Sequence, residues 1–187
     1  LAYLMAKANN NTNQFVFPNP YQTSFEEAYK QYPTIPPGVL QAIAYSNTRM
    51  RHLTPQNTRN ACSDMPRYYG VMGLIADGKN WFRDNLQQVA NLSGYKPDDL
   101  YRQPEKQIMA YAAAFSALQQ QLGCTSTQIE HNLPVLYALS ELPESPNPQA
   151  DFALNSQIYQ ILYWLNHPQF RATYEIGRAQ TMPMPRK

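Results

Sequence analysis

Histidine and cysteine are the residue types that most often carry metal-dependent or nucleophilic chemistry, so their spacing is considered first. His52, His131 and His167 are far apart and form no HExxH or HxH pair, which predicts no zinc centre in this chain. A Gly-x-Ser-x-Gly nucleophile elbow is missing as well. The seven glycines form neither a Rossmann nor a P-loop phosphate motif. We therefore expect no metal ion and no nucleotide cofactor.

The two cysteines, Cys62 and Cys124, lack the CxxC spacing of redox and metal sites. They are either two buried thiols or one disulfide of a protein from an oxidising compartment, and we favour the disulfide. If paired, they close a loop of about sixty residues, which stabilises the fold by about 4 kcal/mol in the chain-entropy model.

The composition limits the class of protein to which the chain belongs. Of its 187 residues, 43% are hydrophobic and 15% are charged, with a formal net charge of +2, which excludes an intrinsically disordered chain. The basic residues are scattered along the chain, which argues against a nucleic-acid partner. The longest apolar stretch, Ala110 to Phe115, is far shorter than the roughly 20 residues of a transmembrane helix. We expect one compact domain without a transmembrane segment.

Apolar residues recur at helical spacing along most of the chain, and no stretch alternates long enough for a strand. The first helix is expected to begin at Ser24, which has capping-box spacing with Glu27. Later helices are expected around Val39 to Ala44, Lys79 to Asn91, Pro104 to Leu122, Leu133 to Leu142 and Phe152 to Asn166. The fold class is therefore all-α. We expect an extended arm over 1–23, a helical domain over 24–168, and a tail or linker toward a further domain over 169–187.

Three stretches between Gly38 and Leu118 occur in the order and at the spacing of the motifs of a known family. They are Leu40 to Thr48, the turn Gly70-Val71-Met72-Gly73-Leu74, and Leu100 to Ile108 with the alanine-rich run that follows it. Together they resemble the catalytic domain of soluble lytic transglycosylases and goose-type lysozymes. This resemblance implies a lysozyme-like helical fold and peptidoglycan glycan strands as the ligand.

The resemblance also locates the position of the catalytic acid. In the family a glutamate protonates the glycosidic oxygen, and the matching residue here is Asn47. A neutral carboxamide cannot deliver and retake a proton near pH 7, and losing general acid–base help typically costs about 10² to 10⁴ in rate. The resemblance therefore implies a lysozyme-like module that lacks the catalytic acid.

Two further departures agree with this interpretation. Ala76 stands where the family has a glutamine, and Val135 to Pro143 replaces an Ala-Tyr-Asn-Ala-Gly-Pro element of which only Tyr137 and the proline have counterparts. The groove that the resemblance implies is lined by Asn47, Thr48, Tyr69, Met72, Gly73 and Tyr137. Arg49 or Arg67 is expected near the carboxylates of the peptide stems.

Another carboxylate could have taken over the acid's role. Asp64, Asp77 and Glu141 are the candidates, and Asp77 directly follows the glycine turn. For Asp77 we favour the simpler interpretation, a charge that stabilises the N-terminus of the next helix. Glu105 starts a helix in a structural Pro-Glu motif and is not expected to be catalytic.

A second resemblance extends from about residue 25 to 167, through Ile35 to Arg49, Tyr69 to Leu74, Leu139 to Pro143 and Asp151 to Leu154. These stretches are similar to the N-terminal region of secreted Bacteroidetes N-acetylmuramoyl-L-alanine amidases, where a separate zinc domain follows. We expect a peptidoglycan-binding module of such an amidase, in the periplasm or outside the cell. The alternatives are a divergent muramidase or lytic transglycosylase that cleaves the MurNAc–GlcNAc bond, and a module whose closed groove packs against a neighbouring domain.

Overall fold

The computed structural model describes residues 16–54, 66–76, 78 and 82–177. These residues form eight α-helices, one 3₁₀ turn at Ile129–Asn132 and one antiparallel hairpin, which confirms the mostly helical prediction. The helices are α1 Gln22–Gln31, α2 Val39–Thr48, α3 Asn85–Ser93, α4 Pro97–Arg102, α5 Pro104–Gln121, α6 Leu133–Leu139, α7 Pro148–Asn166 and α8 Pro168–Thr173. The strands are β1 Tyr68–Tyr69 and β2 Leu74–Ile75. Within these described ranges no helix is both long and apolar enough to cross a bilayer.

Helix α5 lies at the centre of the core. It packs against α1, α3, α4 and α6, and Ile108 and Phe115 are fully buried on it. The run Ala112 to Ala114 is also buried, and such small side chains let neighbouring helices approach closely. A second layer is formed by α2 against α7, and α7 in turn contacts α8.

Two expected helix starts differ from those observed. Helix α1 begins at Gln22 with Tyr21 as N-cap and no side-chain cap, so the capping box of Ser24 and Glu27 is wrong. Helix α3 begins at Asn85 rather than at Lys79, because the Asp84 carboxylate caps it by accepting a hydrogen bond from Gln87 N. Phe82 therefore precedes the helix, and residues 79–81 lie outside the described part of the chain.

The helices expected at Pro104 and Phe152 are present with shifted ends. The first is confirmed as α5, whereas α7 starts at Pro148 because Asn147 caps it through Gln149 N and Ala150 N. The helix expected over 133–142 ends at Leu139. The short helix α4 was not expected from the sequence, although proline at its first position and two aspartates in its first turn favour a helix start.

Both ends of the described chain pack onto the helical core. Phe17, expected in an extended arm, is buried and meets the rings of Tyr45 and Phe170 edge-on at centroid distances of 5.1 and 5.3 Å. In place of a tail from residue 169, Pro168 starts α8, whose Phe170 is fully buried, and Ile176 is buried as well. Proline ends one helix here and begins the next, because its fixed φ suits a first helical position.

The hairpin turn between β1 and β2 is held by Gln107 of α5. The fully buried Gln107 side chain accepts a hydrogen bond from Met72 N at 2.7 Å and donates to Tyr69 O at 3.1 Å and Leu100 O at 3.0 Å. A β-carbon at Gly70, whose φ is +71°, would lie 2.0 Å from Gln107 Nε2. Glycine at position 70 therefore allows the amide to reach the turn backbone.

We expect Gln107→Ala to lower the free energy of unfolding by about 3 to 5 kcal/mol, because two buried backbone groups and one partly buried group lose this partner. Gln120→Ala is the matched control, since Gln120 is an exposed residue of the same helix. Urea denaturation measures both variants. Equal stability of the two variants would contradict the role assigned to Gln107.

Candidate functional site

The last turn of α2 lies directly on the hairpin turn, and the glycine at position 73 makes this contact possible. Gly73 has a φ of +67°, and a β-carbon there would lie 2.6 Å from the Asn47 β-carbon. Any larger residue would push the helix away from the turn. The Gly-x-Met-Gly-Leu pattern therefore corresponds to a close contact between two elements that are 25 residues apart in sequence.

Two side chains of α2 bind the carbonyl groups of this turn. Asn47 Nδ2 donates to Met72 O at 3.0 Å, and Thr48 Oγ1 lies 2.7 Å from Val71 O and 2.8 Å from Ala44 O. The Asn47 side chain is a donor in this contact, a role that an ionised carboxylate cannot fill. The turn is therefore built to receive a neutral amide at position 47.

Of the residues expected to line a groove, only some are accessible at this contact. Asn47 and Tyr69 are half-buried, whereas Thr48, Met72 and Gly73 are buried and support the turn from inside. The Tyr69 ring meets Tyr101 edge-on at a centroid distance of 4.9 Å, which adds a second half-buried aromatic residue beside the turn.

Beside Asn47, one hydroxyl group is buried without a partner. Ser46 Oγ has no hydrogen-bond partner among the described residues, although it is shielded from solvent. Such a group costs free energy unless something else satisfies it. It lies next to Asn47 in the last turn of α2.

Arg49 and Tyr137 contact other parts of the protein. The Arg49 guanidinium lies over the rings of Tyr45 and Trp164 at 4.9 and 5.9 Å. Tyr137 on α6 donates to Asn155 Oδ1 at 2.7 Å and lines an open cavity of about 470 Å³ that also includes Arg83. These contacts hold both residues against α7, and Arg49 Nη1 also donates to Ser46 O at 2.9 Å.

Glu141, a candidate acid, is buried just after α6. Its Oε1 accepts hydrogen bonds from Tyr68 Oη at 2.9 Å and from Gln157 Nε2 at 2.6 Å, and only 3% of the residue is exposed. Burial, together with the nearby Glu141 charge, raises the pKa values of Tyr68 and Tyr111. Both tyrosines therefore stay protonated near neutral pH, so Tyr68 remains a hydrogen-bond donor to the carboxylate.

Several expected site residues cannot be placed. Asp64, Asp77 and Cys62 lie outside the described residues, so the expected disulfide and two candidate acids stay predictions. Cys124 is half-buried, with Sγ 3.5 Å from Leu122 O. Over the described ranges, histidine, cysteine and acidic side chains form no group of three that could hold a metal ion.

Three residues that matter to this site were not singled out from the sequence: Gln107, Tyr68 and Gln157. Gln107 stands inside the Leu100 to Ile108 motif, so its position was a usable signal. Tyr68 and Gln157 both donate to Glu141, from which they are separated by 73 and 16 residues in the sequence. Nothing in their local sequence pattern indicates these contacts.

Comparison of the chain with protein-family models, with curated proteins and with solved structures finds no match. The site described above therefore has to be interpreted from its own geometry.

We expect Asn47→Asp to destabilise the protein by about 1 to 3 kcal/mol at pH 7, because an ionised carboxylate would face the Met72 carbonyl oxygen. This contact raises the pKa of the new carboxyl above its unfolded value of about 4. Below about pH 4 the carboxyl is protonated in both states and can donate, so stability is retained. As the pH rises through the folded-state pKa, that stability is lost.

The matched control is Asn147→Asp. Asn147 Oδ1 accepts hydrogen bonds at the N-terminus of α7, so a carboxylate there should leave stability unchanged or raise it slightly. Denaturation of both variants and the wild type is measured from pH 3.5 to 8. A loss for Asn47→Asp that does not vary with pH would refute the donor role of Asn47.

Proposed function

We propose that this protein is a lysozyme-like module that binds peptidoglycan glycan strands in the periplasm or outside the cell without cleaving them. Its place would be in a cell-wall amidase whose catalytic domain is separate. The observation that carries the proposal is the neutral Asn47 amide bound to Met72 O, at the position where related motifs place the acid.

The contact at Asn47 supports binding rather than catalysis. General acid catalysis requires a group that gives up a proton and takes it back near neutral pH, and a carboxamide does neither. Because its Nδ2 donates to Met72 O, the amide is also held in one orientation. The Oδ1 atom of a half-buried Asn47 is then able to accept a hydrogen bond from a sugar hydroxyl or acetamido group.

The aromatic pair beside the turn supplies the second part of a glycan site. Tyr69 and Tyr101 are half-buried and lie edge to face. Tyrosine combines an apolar ring with a polar hydroxyl, which suits the alternating CH and OH surfaces of a pyranose. Arg67 is exposed just before β1 and is suited to the carboxylates of peptide stems.

The second candidate function is a divergent muramidase or lytic transglycosylase that uses Glu141. A buried carboxylate whose two hydrogen-bond donors are uncharged favours it, because such an environment occurs around catalytic acids. Against it, Glu141 is only 3% exposed, so a sugar cannot reach the carboxylate in this conformation. We therefore assign Glu141 a structural role, bonding β1 and α7 to the end of α6.

The first experiment is incubation of the purified chain with intact sacculi, followed by pelleting and muropeptide analysis. Pelleting with an unchanged muropeptide profile supports the proposal. Anhydro-muramyl ends would establish a transglycosylase, new reducing ends a hydrolase, and free stem peptides an amidase. Absence of both pelleting and cleavage would leave the packing module as the remaining hypothesis.

We expect Tyr69→Ala to weaken sacculus binding by about three- to tenfold, because an aromatic contact contributes about 1 kcal/mol. Tyr159→Ala is the matched control, since Tyr159 is an exposed tyrosine on α7. Pelleting of each variant over a range of sacculus concentrations gives the affinities. Equal weakening by both substitutions would show that Tyr69 has no special part in binding.

We expect Glu141→Gln to leave sacculus binding unchanged and to alter the free energy of unfolding by less than about 1 kcal/mol, since the new amide oxygen still accepts from Tyr68 and Gln157. If the wild type cleaves sacculi and this variant does not, the glycosidase candidate is the correct one.

A further inference from the structure

A second cavity lies away from Asn47, beside the opposite end of α2. It has a volume of about 370 Å³ and is bordered by α1, by the segment from Pro33 to Gln41 and by the residues after α8. This volume is within the range of small-ligand sites. It is half-open, so a ligand can enter from solvent.

The floor of this cavity contains the Gln41 amide, whose nitrogen has no hydrogen-bond partner among the described residues. Tyr29 Oη accepts from Leu40 N at 3.0 Å, so its only proton is donated to Gln41 Oε1 at 2.7 Å. This arrangement turns the Gln41 nitrogen away from Tyr29. Gln41 is only 8% exposed, and its Nε2 donates no hydrogen bond to any described residue. The Gln41 amide nitrogen is not shielded from solvent, so its two N–H groups can donate to a ligand acceptor in the cavity.

The charged residues that line the cavity are both acidic, although the Arg171 guanidinium donates to Ile176 O behind the lining. Glu26 and Glu175 line it, and none of its described lining residues is a lysine or an arginine. Glu26 Oε1 already accepts from Gln22 Nε2 at 2.8 Å, and both carboxylates are exposed at the rim. The rim therefore favours a cation, and the floor offers hydrogen-bond donors to an acceptor.

We propose that this cavity binds a primary ammonium group carried on an amide-containing ligand, as in the lysine-type side chain of a peptide. The ammonium lies between Glu26 and Glu175, and a neutral carbonyl oxygen accepts from Gln41 Nε2. A free carboxylate is a poorer acceptor here, because the two glutamates repel it. This site is independent of the proposed glycan contact at Asn47.

The test is a titration of the ¹⁵N-labelled protein with Nα-acetyl-L-lysine N-methylamide, followed by NMR. The Gln41 side-chain amide signal should shift, and binding should weaken as salt is added. Nα-acetyl-norleucine N-methylamide lacks only the ammonium group and should bind at least fivefold more weakly. Putrescine has two ammonium groups but no carbonyl, so tighter binding of putrescine would indicate a free polyamine and overturn the role of Gln41.

Two rim substitutions complete the test. The double variant Glu26→Gln, Glu175→Gln should lose about three- to tenfold in affinity for the capped lysine, because two exposed charge contacts are removed. Glu144→Gln is the matched control, an exposed glutamate that does not line this cavity, and it should bind as the wild type does. The proposal is overturned if the Gln41 signal does not move, if norleucine binds equally well, or if the double variant keeps wild-type affinity.

Discussion

The Gln107 carboxamide binds three backbone groups, the buried Met72 N and Leu100 O and the partly buried Tyr69 O. A hairpin whose strands are only two residues long has too few hydrogen bonds between its strands to be stable alone. Its turn therefore depends on the Gln107 amide. Once the turn is held against α5, its outer carbonyls face α2 and bind Asn47 and Thr48. The candidate site is thus built outward from one buried side chain.

Elsewhere in the core, buried neutral amides also connect separate segments through hydrogen bonds. Asn85 accepts from Ile75 N and donates to Leu139 O, which ties β2 to the end of α6. The fully buried Gln119 binds Thr34, Ser126 and Asn132, which joins the segment after α1 to the segment after α5. An amide can donate and accept at once without the desolvation cost of a buried charge. This fits a chain in which only 15% of the residues are charged.

The difference between donating and accepting a hydrogen bond also distinguishes Asn47 from Glu141. Asn47 acts as a donor to a carbonyl, and Glu141 acts as an acceptor from Tyr68 and Gln157. Replacing the amide by an acid is therefore unfavourable at position 47. Replacing the acid by an amide is tolerable at position 141. Each side chain matches the hydrogen-bonding groups that its neighbours present, which gives Asn47 a structural reason to be neutral.

The sequence by itself determined the helical class and the existence of α5 and α7, because these follow from local periodicity and capping. The close contact of the Gly70 to Leu74 turn with α2 came from the tertiary structure. Exact starts such as that of α3 were missed, since Asp84 competes with an apolar stripe that continues upstream of it. Only the tertiary structure decided that Thr48 and Met72 are buried, that Tyr137 faces another cavity, and that Tyr68 and Gln157 meet Glu141. Those contacts join residues far apart in the chain, and their partners are chosen by packing around α5 rather than by any local pattern.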